Sequence, residues 1–149
     1  FGMGFVGEII GGWIADRWRI KGGNFNTVMR TMLSIAGIMT ALSIFLLGST
    51  TSLAMAVTLL SIALFFLRWA GLYWSIPAAI SQREHVGVVG GCMNFAGNIA
   101  GVVTPIYVGF IVSATGSYFI ALMVFTLAGF LLAVASSLIN YNKKIGSVN

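Results

Sequence analysis

Charged side chains are scarce in this chain. They make up 7% of the 149 residues, whereas 58% of the residues are hydrophobic, and a typical soluble protein is about a quarter charged. Eight basic and three acidic residues cannot cover the surface of a water-soluble domain of this size. The sequence therefore predicts a protein whose solvent is the lipid bilayer.

Cysteine and histidine are nearly absent as well, with one residue of each. The lone cysteine, Cys92, cannot form an intrachain disulfide, and its spacing from His85 does not fit a metal site. No span contains a Ser-His pair and no glycine-rich loop is followed by Lys, so we expect neither an enzyme nor a bound metal or cofactor. The net charge of +5 would favour nucleic acid as the partner of a soluble chain, but its placement along this sequence argues against that partner.

Long uncharged runs divide the chain into apolar segments. The runs 31–67 and 86–142 are each too long for one helix, and each contains a polar break, at 48–52 and at 114–117. A bilayer core about 30 Å thick takes roughly 20 helical residues per crossing. The sequence thus predicts an all-α polytopic membrane protein with five transmembrane helices. The predicted spans are about 1–15 (the second half of a helix), 30–48, 53–77, 88–113 and 118–140, followed by a tail at 141–149.

The basic residues lie at alternate ends of these spans. Four bases flank the first connection, between positions 17 and 30, Arg83 lies in the third, and Lys143 and Lys144 lie in the tail. The second and fourth connections carry no charge. Because loops rich in Arg and Lys stay in the cytoplasm, we expect a multi-pass protein of the cytoplasmic membrane whose carboxy terminus is cytoplasmic.

The segment 11–21, with the sequence GGWIADRWRIK, resembles the signature loop of the major facilitator superfamily. Gly12, Asp16 and Arg17 match that loop, although the glycine usual after the Asp is absent. The superfamily carries the loop after the second and the eighth of twelve helices. Since four more spans and a short tail follow here, the resemblance implies that the chain corresponds to helices 8–12, the carboxy-terminal part.

The same resemblance implies a gating role for this loop. The carboxylate of Asp16 would contact the amino terminus of the helix near Val88, since helix amino termini attract anions, and the contact would break as the protein opens to the cytoplasm. The alternative is a solvated acid held by Arg17 or Arg19.

A second resemblance concerns the third and fourth spans. The run Tyr73-Trp74-Ser75, the glycine-rich run 90–101 and the pair Thr104-Pro105 resemble helices 10 and 11 of the anion:cation symporter family, which includes permeases for galactonate, glucarate and hexuronates. This resemblance implies proton-coupled symport of an organic anion such as a sugar acid. The partners would be that anion, protons, lipid and the missing amino-terminal half of the transporter. Two alternatives stay open: a transporter-like membrane module without transport activity, and a permease for an aromatic or other carboxylate with different coupling.

Several polar residues of these spans are candidates for substrate contact. Asn94 and Asn98 lie one turn apart on one helix face, which must avoid lipid. The family resemblance implies a binding role for Asn94, whereas Asn98 could equally bond a neighbouring helix. Trp74 lies at a similar depth to Asn94, so both could line one site, and it offers an apolar wall and one N–H donor, unless it is an interfacial belt residue. Tyr73 and Ser75 could add hydroxyl groups.

Two charged residues lie inside the predicted spans. Arg68 is near the middle of its span, where a charge costs at least about 2.5 kcal/mol. It is a candidate clamp for a substrate carboxylate, or a partner in a structural ion pair. Glu8 is the only acid within a span and is a candidate proton carrier, with structural pairing to a neighbouring helix as the alternative.

Overall fold

The computed structural model describes residues 1–143, and these form helices joined by short turns, without strands. The predicted tail, 141–149, lies outside the described residues beyond Lys143. The α-helices are α1 (Gly2–Ile20), α2 (Phe25–Leu47), α3 (Leu53–Leu67), α4 (Ile76–Ile80), α5 (Val86–Thr115) and α6 (Tyr118–Leu138), and 3-10 helices cover Arg68–Ser75 and Arg83–His85.

Four segments of the described chain are long and apolar enough to cross a membrane. They are Phe25–Leu47, Leu53–Ile80, Arg83–Thr115 and Tyr118–Leu138. Helix α1 has 19 residues but is not among them, because it carries Glu8, Asp16, Arg17 and Arg19. It runs five residues beyond the predicted end at 15, so the bases at its end continue a helix rather than begin a loop.

Polar caps explain where two of these helices begin. The side chain of Asn24 accepts a hydrogen bond from the Asn26 backbone N–H at 2.9 Å, so α2 begins five residues before the predicted start at 30. Ser117 caps α6 in the same way, at 3.1 Å from the Phe119 nitrogen. Gly116 ends α5 with a φ of +67°, a left-handed conformation that favours glycine.

The third span is interrupted, whereas the sequence predicts a continuous helix over 53–77. Helix α3 ends at Leu67, and the chain continues as the 3-10 helix to Ser75 before α4 starts. Pro77 has no N–H to donate to the carbonyl of Tyr73, and the Ile76 N–H bonds that carbonyl instead. The tighter 3-10 winding thus satisfies a carbonyl that an α-helix would leave without a partner.

Glycines allow the helices to approach closely. A Cβ at Gly7 of α1 would overlap the carbonyl of Phe65 in α3, and one at Gly11 would lie 2.7 Å from the ring of Trp69. Helices α2 and α6 cross in the same manner, because a Cβ at Gly37 would lie 2.6 Å from the carbonyl oxygen of Gly129. Such close backbone contact is what holds helices together where no water is present to drive their association.

Helix α5 lies at the periphery of the described structure. It has no buried residue, and it packs only lightly against α4 and α6. A Cβ added at Gly97 or Gly101 would meet no atom within 4 Å. Gly97 and Gly101 therefore make no close helix crossing within residues 1–143.

Candidate functional site

A cleft of about 250 Å³ lies between α1 and the 3-10 helix of the third span. Its charged groups are Glu8 and Arg68, whose Oε2 and Nη1 atoms are 3.7 Å apart. The lining residues are Glu8, Gly12, Arg68, Gly71, Leu72 and Ser75. Glu8 and Arg68, the two charged residues that the sequence places well inside the predicted spans, thus lie side by side in one cleft.

The fold positions this ion pair through the α1–α3 crossing. Arg68 is the first residue of the 3-10 helix, and its side chain crosses Gly4, where a Cβ would lie 3.4 Å from the Arg68 Cγ. The side chains of Arg68 and Glu8 remain 50% and 60% exposed. An ion pair exposed to water contributes little to stability. Inside a membrane, however, each unpaired charge costs several kcal/mol, which gives both residues a reason to be retained as a pair.

Ser75 adds a hydroxyl group to the cleft. Its Oγ donates to the carbonyl of Leu72 at 2.7 Å and lies 3.8 Å from the sulfur of Met29. Tyr73 and Trp74, the two aromatic candidates, do not line the cleft. Their rings contact each other at an angle of 31° with centroids 4.8 Å apart, and Trp74 is 48% exposed.

The two asparagines of α5 form a second polar group. The Nδ2 atom of Asn98 donates to the Asn94 carbonyl at 2.8 Å and to the Asn94 Oδ1 at 3.1 Å. This bond leaves the amide nitrogen of Asn94 with both of its hydrogens available. Within residues 1–143, no hydrogen bond, ion pair or ring contact joins these asparagines to the Arg68–Ser75 segment. A binding site shared by Trp74 and Asn94 therefore stays a prediction.

The prediction that the gating segment forms a loop is wrong, because this segment is helical. Gly12, Asp16 and Arg17 lie in the last turns of α1, and only a short turn beginning at Lys21 separates this helix from α2. Charged residues at the edge of an apolar segment suggested a loop, but Arg is a good helix former and its long side chain reaches water from a helix end.

Asp16 is not held by either neighbouring arginine. The guanidinium of Arg17 lies over the ring of Trp13, 5.3 Å from its centroid, and that of Arg19 lies over Phe25 at 5.0 Å. The exposed carboxylate of Asp16 has no hydrogen bond or ion pair with any other residue that the structure describes. Its contact with the amino terminus of α5 stays a prediction.

Sequence reasoning missed two residues of the cleft, Gly71 and Leu72, and placed Gly12 elsewhere. Glycine and proline six residues apart within an apolar segment indicate a break in a helix, so Gly71 and Pro77 were a usable signal. No pattern in the sequence indicates that Glu8 pairs with Arg68, because the two residues are 60 positions apart.

The fold and the cleft together are typical of one class of protein. Four segments are apolar and long enough to cross a bilayer, and one of them, Leu53–Ile80, is interrupted at Arg68, which pairs with Glu8 of α1. Discontinuous helices that carry polar groups at membrane depth are typical of secondary transporters.

Known proteins of this class resemble the chain in sequence, although no protein-family model matches it. A Bacillus subtilis protein named as a probable galactarate/D-glucarate transporter is 37% identical over 136 residues, which are 91% of this chain and 30% of the relative. The hexuronate transporter of the same species is 35% identical over 141 residues, 90% of this chain and 32% of the relative. The D-galactonate transporter of Escherichia coli is 30% identical over 112 residues, 75% of this chain and 26% of the relative.

The chain belongs to the family of major facilitator anion transporters that contains these proteins. It spans less than a third of the length of these relatives, which is consistent with the predicted carboxy-terminal fragment. The relatives are named as transporters and not as enzymes, in agreement with the prediction that the chain is not an enzyme.

Proposed function

We propose that this chain is the carboxy-terminal part of a secondary transporter that carries a sugar acid across the cytoplasmic membrane together with protons. The names of the relatives support the substrate class, because hexuronate and galactonate are sugar acids. One observation carries the proposal, namely the Glu8–Arg68 ion pair in a cleft beside an interrupted helix. The carboxy terminus lies in the cytoplasm, as the distribution of basic residues favours.

Electrical neutrality links the binding of substrate to the binding of a proton. In the empty cleft the charges of Arg68 and Glu8 cancel. When the substrate carboxylate takes the guanidinium, Glu8 loses its partner, and an unpaired charge at this depth is costly. A proton on the Glu8 carboxylate restores neutrality. One proton thus accompanies each carboxylate that binds at Arg68.

Hydroxyl groups and the carbon chain of a sugar acid require further contacts. Ser75 lies in the same cleft as Arg68 and offers a hydroxyl group. The amide nitrogen of Asn94, which donates no hydrogen bond within residues 1–143, offers donors, and the exposed indole of Trp74 offers an apolar wall. We assign Asn98 and Tyr73 to positioning these two side chains, through the Asn98–Asn94 bond and the contact between the Tyr73 and Trp74 rings.

The transport cycle requires the rest of the transporter. Rocking of two bundles about a central site exposes that site to each side in turn. In the cytoplasm-closed state, Asp16 would contact the amino terminus of α5, with Gly12 and Arg17 on the same helix end setting its approach. The partner bundle would be the amino-terminal half.

Uptake by the complete transporter in proteoliposomes tests the proposal. A one-unit pH gradient is worth about 1.4 kcal/mol per proton, so we expect about tenfold accumulation of a monoanionic hexuronate or aldonate. The panel also contains aldarates and aromatic acids. Uptake of an aromatic acid in preference to sugar acids would contradict the substrate class. Uptake indifferent to the pH gradient and the membrane potential would contradict proton coupling.

Truncating the proposed substrate contacts should weaken binding. In the complete transporter, Trp74→Ala and Asn94→Ala are each expected to raise KM about tenfold, since each removes a contact worth roughly 1–2 kcal/mol. Phe45→Ala is the matched control, because Phe45 is also an exposed aromatic residue but lies on α2, away from the cleft. Initial uptake rates over a range of substrate concentrations give the values. Unchanged KM in both variants would show that the substrate binds elsewhere.

A further inference from the structure

The chain that follows α6 folds back onto the start of α2. The Nε atom of Arg30 donates to the carbonyl of Ile139 at 2.7 Å, and an Nη atom donates to that of Leu138 at 3.2 Å. These carbonyls lie at the end of α6, where no further turn of the helix supplies backbone N–H groups, so the Arg30 guanidinium satisfies them.

Two asparagines at the start of α2 hold the next residues. The backbone N–H of Tyr141 donates to the Asn26 Oδ1 at 2.7 Å, and the Nδ2 of Asn142 donates to the Asn24 Oδ1 at 2.9 Å. The bonds from Asn26 and Arg30 place Tyr141 against the helix bundle, where the residue is only 3% exposed. A tyrosine expected in a cytoplasmic tail is thus part of the core.

Tyr141 forms a hydrophobic cluster with Met29 and Leu33 of α2. Residues of the interrupted span pack against this cluster, among them Leu72 and Ile76. Leu72 itself lines the cleft that holds Glu8 and Arg68. Leu72 therefore links the cluster that contains Tyr141 to the cleft.

A second contact joins the same cluster to the cleft. The sulfur of Met29 lies 3.8 Å from the Oγ of Ser75, and that hydroxyl donates to the Leu72 carbonyl. The hydrogen bonds of a 3-10 helix have poorer geometry than those of an α-helix, so its conformation depends strongly on what packs against it. For Arg68–Ser75, part of that packing comes from the cluster that Tyr141 completes.

We propose that Tyr141 is a positioning residue that holds the 3-10 helix in the conformation that places Arg68 and Ser75 in the cleft. The expected effect of Tyr141 on transport rests on the proposed function. Its expected effect on the order of the 3-10 helix does not, because that order can be measured without any substrate. Loss of the ring leaves a void beside Met29, and the 3-10 helix then samples other conformations.

Hydrogen exchange of the complete transporter, followed by mass spectrometry, tests the mechanical part. Tyr141→Ala is expected to accelerate amide exchange in the peptide covering 68–75 by about tenfold or more, with α5 and α6 unchanged. Tyr141→Phe keeps the ring and should behave as the unaltered protein. Asn142→Ala is the matched control in the same tail, because it removes the bond to Asn24 and leaves the ring in place.

Transport kinetics test the functional part. Tyr141→Ala should raise KM about fivefold or more while the maximal rate per folded molecule changes less than twofold, and Tyr141→Phe should restore KM. Should Tyr141→Ala not fold, Tyr141→Leu is measured instead, with the same expected directions. Unchanged exchange in 68–75, or acceleration spread evenly over all helices, would overturn the proposal. Faster exchange in 68–75 with no uptake of any sugar acid by the unaltered protein would leave the positioning role supported and contradict the proposed function.

Discussion

Replacing Glu8 with Gln is expected to abolish the accumulation of substrate while leaving substrate exchange intact. The variant keeps the size of the side chain but removes the charge that competes with the substrate for Arg68, 3.7 Å away. Substrate then binds without a proton, and the pH gradient no longer drives uptake. The accumulation ratio under a one-unit gradient should fall from about 10 to about 1, a loss of about 1.4 kcal/mol of coupling. KM should fall, since no carboxylate has to be displaced.

Counterflow of labelled substrate in proteoliposomes, with and without a pH gradient, separates these effects. Glu84→Gln is the matched control, because it removes one acidic charge from an exposed residue of the third connection, outside the cleft. Undiminished accumulation by Glu8→Gln would show that the proton travels on another residue. Loss of counterflow together with accumulation would show that Glu8 is needed for the fold of the cleft.

Gly7→Ala is expected to prevent the chain from reaching its folded state. A Cβ at this position would overlap the carbonyl of Phe65, and a backbone carbonyl in a helix cannot rotate away as a side chain can. Inserting a methyl group where packing is tight costs about 1–3 kcal/mol or more. The α1–α3 crossing also sets the Glu8–Arg68 distance. Folded, monodisperse protein extracted in detergent should therefore fall about tenfold or more.

Gly4→Ala provides the comparison on the same helix. Its added Cβ would lie 3.4 Å from the Cγ of Arg68, an ordinary contact with a flexible side chain, and the yield of folded protein should change by less than twofold. Both yields can be read from size-exclusion profiles of a fluorescent fusion. A normal profile for Gly7→Ala would mean that α1 and α3 do not cross as closely as the structure has them.

Several boundaries of the fold were accessible to sequence reasoning because they depend on local chemistry. The polar breaks at 48–52 and 114–117 coincide with the turns around Gly48 and Gly116, since an uncharged run longer than about 20–25 residues must turn back in a bilayer. Charge was a poorer guide at the end of α1. Asp16 and Arg17 mark the place where α1 leaves the apolar layer. The helix itself continues beyond that place, to Ile20.

The candidate site was accessible only in part. The polarity of Arg68 and Glu8 marked them individually, because any charge in an apolar span needs an explanation. Their partnership depends on the packing of α1 against α3 and the 3-10 helix, which is set by Gly7 and Gly11. Periodicity identifies the face of a helix but not the helix that packs on it. For the same reason the burial of Tyr141, which depends on Asn26 and Arg30 more than 100 residues earlier, left no pattern in the sequence.

The 3-10 winding of the Arg68–Ser75 segment makes the third span longer than a continuous α-helix would be. A 3-10 helix rises about 2.0 Å per residue and an α-helix about 1.5 Å, so these eight residues are about 4 Å longer than they would be in α form. Conversion to α form would draw α4 towards Arg68 by that distance and rotate it by more than a third of a turn, because the two helices differ by about 20° per residue. A length change of one segment, without unfolding, is thus enough to move Ser75 relative to the ion pair.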